Sequence, residues 1–196
     1  MPVTQQNKSD LILYAALEQF AENGFHSSPV SQLASLAGVG VGSIYRYFKD
    51  KDELIHAVFT MVDDALQKAI TASLNPDLSG RSKFIQLVTS LIQYLDKHPQ
   101  EFRFLEQYYS SPYGADKKRA KFLCEGRGDS SNPFVDLFFS NKAKSLKDLP
   151  LPLYLAMTLG PIIFLLRDSL SGLVTLDDAL IQQTAEASWN AIKAEN

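Results

Sequence analysis

Between residues 24 and 54 the chain is punctuated so closely that only short helices fit. Gly24 stands where a helix ends on a left-handed residue, and Ser28-Pro29 reads as a side-chain cap followed by proline at a first helical position. Gly38 stops that segment. "KDKDE" then supplies Asp50 as a cap with Glu53 three residues on, an aspartate form of the capping box. Within this frame lies "AGVGVGSIYRYF", with Gly38, Gly40 and Gly42 at alternate positions, followed at once by two tyrosines, an arginine and a phenylalanine. A dinucleotide-binding glycine loop needs a strand before it and a third glycine where Ser43 stands, and a P-loop needs a terminal Gly-Lys-Ser/Thr. Neither context is present. Two short helices joined by a glycine turn, the second rich in aromatic and hydrogen-bonding side chains, form instead a helix-turn-helix whose second helix suits the DNA major groove.

Elsewhere the apolar residues recur at helical spacing and nowhere at a convincing period of two, so the fold class is all-α. Periodicity predicts a first helix from about Ser9 to Asn23 with Leu11, Tyr14, Ala15, Leu17, Phe20 and Ala21 as its core stripe. A short second helix carries Val30, Leu33, Ala34 and Ala37, a third takes in Ser43 to Phe48, and a long one starts at Lys51 and ends near Leu74. The turn-rich "NPDLSG" at 75–80 is the best internal boundary. Beyond it, Phe84, Leu87, Val88, Leu91, Ile92 and Leu95 mark a core-facing helix. After His98-Pro99, Phe102, Leu105 and Tyr109 share one face of the next helix and Phe104 and Tyr108 another. The C-terminal pair is expected over 152–170 and 177–194, the latter carrying Ala179, Leu180, Ala187, Trp189 and Ile192.

The chain has 196 residues, 45% hydrophobic and 21% charged, with a net charge of −3, which fits a globular protein and argues against one that coats nucleic acid with its whole surface. A single cysteine, Cys124, allows no intrachain disulfide. The polar start "MPVTQQNKSD" lacks a secretion signal's apolar run, and a cytoplasmic location is expected. No charge occurs between Asp148 and Arg167. With Gly160-Pro161 read as a break and about 22 Å of usable helix, that stretch is expected to be a core helix buried on more than one face rather than a membrane span.

Residues 9–55 resemble the DNA-binding region of the tetracycline-repressor (TetR) family of bacterial transcriptional regulators. The resemblance is carried by "ALEQFAENGF" for the first helix, "VSQLASLAGV" for the second, and "GSIYRYFKDKDELI" for the recognition helix and the start of the fourth. It implies an N-terminal DNA-binding domain over 1–50 and a helical sensing and dimerisation domain over 51–196, with 51–74 as the connecting helix. It further implies a double-stranded DNA operator, a small-molecule effector, and a homodimer formed by the 152–170 and 177–194 helices as a four-helix bundle. By resemblance Tyr45 and Tyr47 contact the DNA backbone. Lys51, a cation opposing the dipole in the first turn of a helix, makes sense if a phosphate docks there. Val41, Gly42, Ser43 and Arg46, with Ser31 and Gln32 of the preceding helix, complete the candidate DNA-contacting set. Val41 offers apolar contact, best used on a thymine methyl, and Arg46 either pairs with guanine or holds a phosphate.

Up to Leu54 the chain has four Lys/Arg against six Asp/Glu, so weak non-specific binding and a shallow salt dependence are expected. In the C-terminal part, Phe102, Leu105, Tyr108, Tyr109 and Phe138 are the candidate lining of a pocket for a hydrophobic or aromatic effector, with Arg103, Glu106 or Arg167 as polar anchors. Simple core packing explains any one of these aromatics equally well. With three histidines and no HExxH or GxSxG, no metal, cofactor or catalytic residue is expected, and the chain reads as no enzyme. The alternatives are a helical interaction module, or a small-molecule-binding protein without specific DNA binding.

Overall fold

A computed structural model describes residues 5–75, 77–78, 80–115 and 145–194. Cys124, the basic run 116–121 and the candidate pocket residue Phe138 lie outside them. Among the described residues every regular element is an α-helix: α1 (Gln5–Asn23), α2 (Val30–Leu36), α3 (Val41–Tyr47), α4 (Lys51–Ser73), α5 (Gly80–Lys97), α6 (Pro99–Ser110), α7 (Leu151–Leu170) and α8 (Asp178–Ile192). Packing divides the chain inside α4 rather than at its start. Residues up to Ala65 group with the stretch beginning at Pro99, and Leu66–His98 group with the C-terminal helices.

In the first unit, α1 begins a turn earlier than its periodicity predicts, and four of the six residues of its expected core stripe, Ala15, Leu17, Phe20 and Ala21, are buried. Ile12, Ala16 and Phe20 are fully buried, whereas Leu11 is 43% and Tyr14 63% exposed. The departure is confined to Leu11 and Tyr14, whose places in the core are taken by Ile12 and Ala16. Gly24, at φ 77°, ends α1 in the left-handed region.

Ser28 does not cap α2. Pro29 takes the cap position in an extended conformation, and the buried Ser28 hydroxyl turns back to donate to the Gly24 carbonyl at 2.7 Å and the Gln19 carbonyl at 3.3 Å. The preference for side-chain caps yields because a buried hydroxyl needs a partner, and α1 leaves carbonyls free at its end. Gly38, at φ 65°, closes α2, with Val39 N–H donating to Ala34 O at 2.9 Å.

The expected cap of α4 forms: Asp50 Oδ1 accepts from Glu53 N–H at 2.8 Å. The return bond is displaced by one residue, Glu53 Oε2 accepting from Lys49 N–H at 2.6 Å.

Helix α6 belongs to this unit through its aromatic rings and three hydrogen bonds. Phe104 packs against Phe25 and Phe20, with ring centroids 5.6 and 6.4 Å apart. Gln107 Nε2 donates to Ala21 O at 3.1 Å, capping a last-turn carbonyl of α1 from another helix. Tyr108 stacks on Phe59 at 4.1 Å and shares a 2.8 Å hydrogen bond with His56 Nδ1, while the Tyr113 hydroxyl just beyond donates to Asp52 Oδ1 at 2.8 Å.

In the second unit, all six residues expected to form the core face of α5 are buried, and Phe84 meets Trp189 of α8 at 5.4 Å. His98 ends α5, its ring stacked on Tyr94 and Nδ1 donating to the Tyr94 carbonyl at 2.7 Å. Asp177 caps α8 by accepting from Leu180 N–H at 2.7 Å. That helix buries Ile181, Ala185, Ser188, Trp189 and Ile192, so Ala179 and Ala187 belong to its exposed side instead.

Helix α7 corrects two expectations. It continues through Pro161, so its 20 residues span about 30 Å. Gly160 makes this tolerable, because the clash that keeps a pre-proline residue out of the helical region involves a Cβ that glycine lacks. By length and composition Pro152–Leu170 is therefore long and apolar enough to cross a membrane. It is also not buried on several faces: Thr158, Ile162 and Leu166 are covered, while Phe164 is 65% exposed.

Burial, and next the Asp63 carboxylate, pushes the Tyr108 hydroxyl up to about 12 and raises Tyr109 as well. A raised folded-state pKa contributes stability present below the unfolded value of about 10 and lost as pH climbs through about 12. Urea melts at pH 9 and pH 11 are expected to show this loss, and Tyr108→Phe should make the fall shallower.

Candidate nucleic-acid interface

Helix α3 has seven residues, about 10 Å, too few to hold itself together in water. Ile44 is 1% and Phe48 7% exposed, and with Leu33 and Ala34 of α2 they anchor one side of the two-helix unit. The opposite side of α3 is presented: Val41 is 40% and Tyr45 52% exposed, with Gly42 and Arg46 exposed beside them. Positions 41, 42, 45 and 46 share one helical face by their three- and four-residue spacing.

Each candidate contact residue can be placed. Ser31 and Gln32 are exposed on α2, and Ser43, Tyr47 and Lys51 are half-buried. Arg46 lies back on its neighbour, Nη2 donating to the Tyr47 hydroxyl at 3.3 Å and Cζ standing 5.2 Å from the ring centroid. The Gln32 side-chain oxygen accepts from the amide of Gln19, itself buried in α1. Sequence reading missed Gln19 because its partner lies thirteen residues away on another helix.

Gly40 takes the N-cap of α3 with φ −75° and ψ 150°, so no side chain caps the helix. A Cβ added at Gly42 would meet nothing within 4 Å, so packing within the protein does not require glycine there.

Lys51 occupies the first turn of α4 with Nζ 6.0 Å from the Phe20 ring centroid. Desolvation lowers its pKa, and the neighbouring Asp52 carboxylate partly offsets that. A cation held at a helix N-terminus at some electrostatic disadvantage is relieved by an incoming anion.

The candidate effector residues sit differently. Phe102, Leu105 and Tyr108 are buried in the first unit, and Tyr109 is half-buried with its ring edge-on to Phe59 at 5.8 Å. Aromatic packing accounts for Tyr108 without a ligand. Both faces of α6 carry large rings because both are covered. Of the polar anchors, Arg103 is exposed, and Arg167 lies over the Phe164 ring at 5.5 Å.

Because space is open at Gly42, Gly42→Ala is expected to stabilise the free protein by up to about 1 kcal/mol in urea melts. The added methyl would stand on the presented face, so the same substitution should weaken DNA binding.

Comparison with known proteins agrees with this arrangement. Residues 12–58 match the family model described as "Bacterial regulatory proteins, tetR family", and residues 81–193 match "Tetracyclin repressor-like, C-terminal domain". An uncharacterised HTH-type transcriptional regulator of Haemophilus influenzae is 28% identical over 202 residues, covering 96% of this chain and 99% of that one. The fatty acid metabolism regulator protein of Bacillus subtilis is 50% identical over 48 residues, 24% of this chain and 25% of that one. The chain likewise spans only 53% of another Bacillus subtilis regulator, an uncharacterised one, that it matches. Among solved structures, a TetR family transcription regulator from Marinobacter aquaeolei VT8 superposes with a TM-score of 0.83 at 23% identity, covering 96% of each chain. A helix-turn-helix with a presented second helix, and family matches on both sides of residue 66, lead to one conclusion: the chain belongs to the TetR family of bacterial transcriptional regulators.

Proposed function

We propose that this protein is a homodimeric, cytoplasmic, ligand-responsive regulator that binds a double-stranded DNA operator through α3 and the start of α4. The presented face of α3, with Val41, Gly42, Tyr45 and Arg46 outward and Ile44 holding the opposite side, is the observation that carries the reading. Ser31 and Gln32 flank that face, Ser43 and Tyr47 border it, and Lys51 offers a charge where free backbone amides can also meet a phosphate. Phosphate contacts would fix the register of α3 in the groove, leaving base edges to its exposed side chains.

One recognition helix reads too little sequence, and a two-fold dimer would read two half-sites one helical turn, 34–36 Å, or a multiple apart. Support for pairing through α7 and α8 comes from the uncovered apolar side of α7, which includes Leu153 and Phe164, and from the small exposed residues Ala179 and Ala187 of α8. An apolar helix surface of this kind is stable in water once a second copy covers it.

In our reading a small hydrophobic effector binds the C-terminal part, engaging Phe102, Leu105, Tyr108, Tyr109 or Phe138, and releases a repressor from its operator by tilting α4. A coupling of about 1–3 kcal/mol would weaken operator binding roughly 5- to 150-fold. The resemblance to a fatty acid metabolism regulator covers 48 residues, too few to extend to the effector region, so it bears on DNA reading more than on effector choice. No enzymatic step is proposed, since the presented groups are suited to contact rather than to bond making.

Gel shifts with DNA upstream of the protein's own gene test the interface. Tyr45→Ala and Lys51→Ala should each weaken binding, and the wild-type affinity should fall only shallowly with salt. Unchanged binding by both variants would overturn the contact assignment, and a slope near about −10 would reveal a larger basic surface than this one. For the dimer, Phe164→Glu is expected to shift sedimentation from dimer to monomer, because it places a charge on the apolar face that pairing would bury.

A further inference from the structure

Resting on the DNA-binding reading, we infer that α3 reads its half-site mainly through thymine methyl groups, with Val41 as the contacting side chain. What α3 can read depends on which groups of its presented face are placed to make base-edge hydrogen bonds. In the major groove the bidentate readers are arginine or lysine on guanine and glutamine or asparagine on adenine. The arginine of α3 and the glutamine of α2 are both drawn back onto the protein. The Arg46 guanidinium is laid over the Tyr47 ring at 5.2 Å and donates to its hydroxyl at 3.3 Å. The Gln32 side-chain oxygen accepts from Gln19, which is 3% exposed and so fixed in place. Adenine requires both an acceptor and a donor from the same amide, and the Gln19 bond turns the Gln32 amide toward α1 instead of presenting it for that paired contact.

What faces outward is different in kind. Val41, 40% exposed, has no polar side-chain atom, and Tyr45, 52% exposed, presents a ring with one hydroxyl at its tip. They are four residues apart, one above the other on the same face. Between them Gly42 contributes no side chain, and the space around its Cβ position is empty, so the backbone can approach the groove floor. A surface of this composition discriminates bases by apolar contact, and thymine is the base that offers a methyl in the major groove. With four Lys/Arg against six Asp/Glu in this part, phosphate contacts, which carry no sequence information, supply less of the affinity.

The experiment starts from 30-base-pair duplexes enriched by this protein from a random pool, resynthesised with deoxyuridine at single thymine positions so that only the C5 methyl is lost. At contacted positions the affinity should fall about 3- to 5-fold per methyl. The same substitution should cost nothing further in Val41→Ala, because protein methyl and DNA methyl form one contact. Val41→Thr, which keeps the shape and replaces a methyl by a hydroxyl, should retain part of the discrimination and guards against a folding artefact in the alanine variant. Deoxyuridine duplexes binding as tightly as their parents would overturn the inference. So would an equal methyl penalty in wild type and Val41→Ala, or a loss on 7-deazaguanine substitution that disappears in Arg46→Ala, which would assign the reading to a guanidinium on guanine. Failure to enrich any duplex would overturn the DNA-binding reading itself, and this inference with it.

Discussion

A seven-residue helix has no stability of its own, and the function proposed here depends on one. The burial of Ile44 and Phe48 beside Leu33 and Ala34 is therefore the constraint on which the interface rests. Because α3 spends its apolar side chains on that anchor, its opposite side is free to carry Val41, Gly42, Tyr45 and Arg46 outward. The stop at Gly38 and the Asp50 side-chain cap fix where the chain may turn before and after α3, so the anchored helix is bounded by its neighbours' ends rather than by its own length.

Helix α6 extends the same logic. Its membership in the DNA-reading unit comes from Phe104 against Phe20 and Phe25, Tyr108 against Phe59 and His56, and Gln107 on a carbonyl that α1 cannot satisfy within itself. The rings supply apolar contact, while the hydrogen bonds fix rotation and height, since an aromatic stack alone tolerates sliding. Any motion of α6 must therefore either carry α1 and α4 with it or break bonds that are partly shielded from water.

Much of this was legible from residue order. The core face of α5 could be read residue by residue, because six apolar positions at three- and four-residue steps admit only one phase of the helix. In α1 only part of the face could be read: Ala15, Leu17, Phe20 and Ala21 are buried as the pattern says, but Leu11 and Tyr14 lie outside and Ile12 and Ala16 take their places. Adjacent positions on a helix differ by about 100°, and only the partner helices choose which of two neighbouring apolar residues is covered. Ser28 and Pro161 failed for local reasons. A hydroxyl caps only when nothing better is within reach, and a proline breaks a helix less readily when glycine precedes it.

The sequence by itself determined the helical class, the helix-turn-helix and the cap of α4, because these follow from short-range chemistry: spacing, caps and turns that act within a few residues; the family was legible as a resemblance of residues 9–55 in order and spacing. Tertiary structure decided which faces are buried wherever the pattern left a choice. It covered both sides of α6, left one apolar side of α7 open, folded Arg46 onto Tyr47 and tied Gln32 to Gln19. Those outcomes depend on which distant side chains meet, and burial is a property of the packed assembly that no single helix encodes.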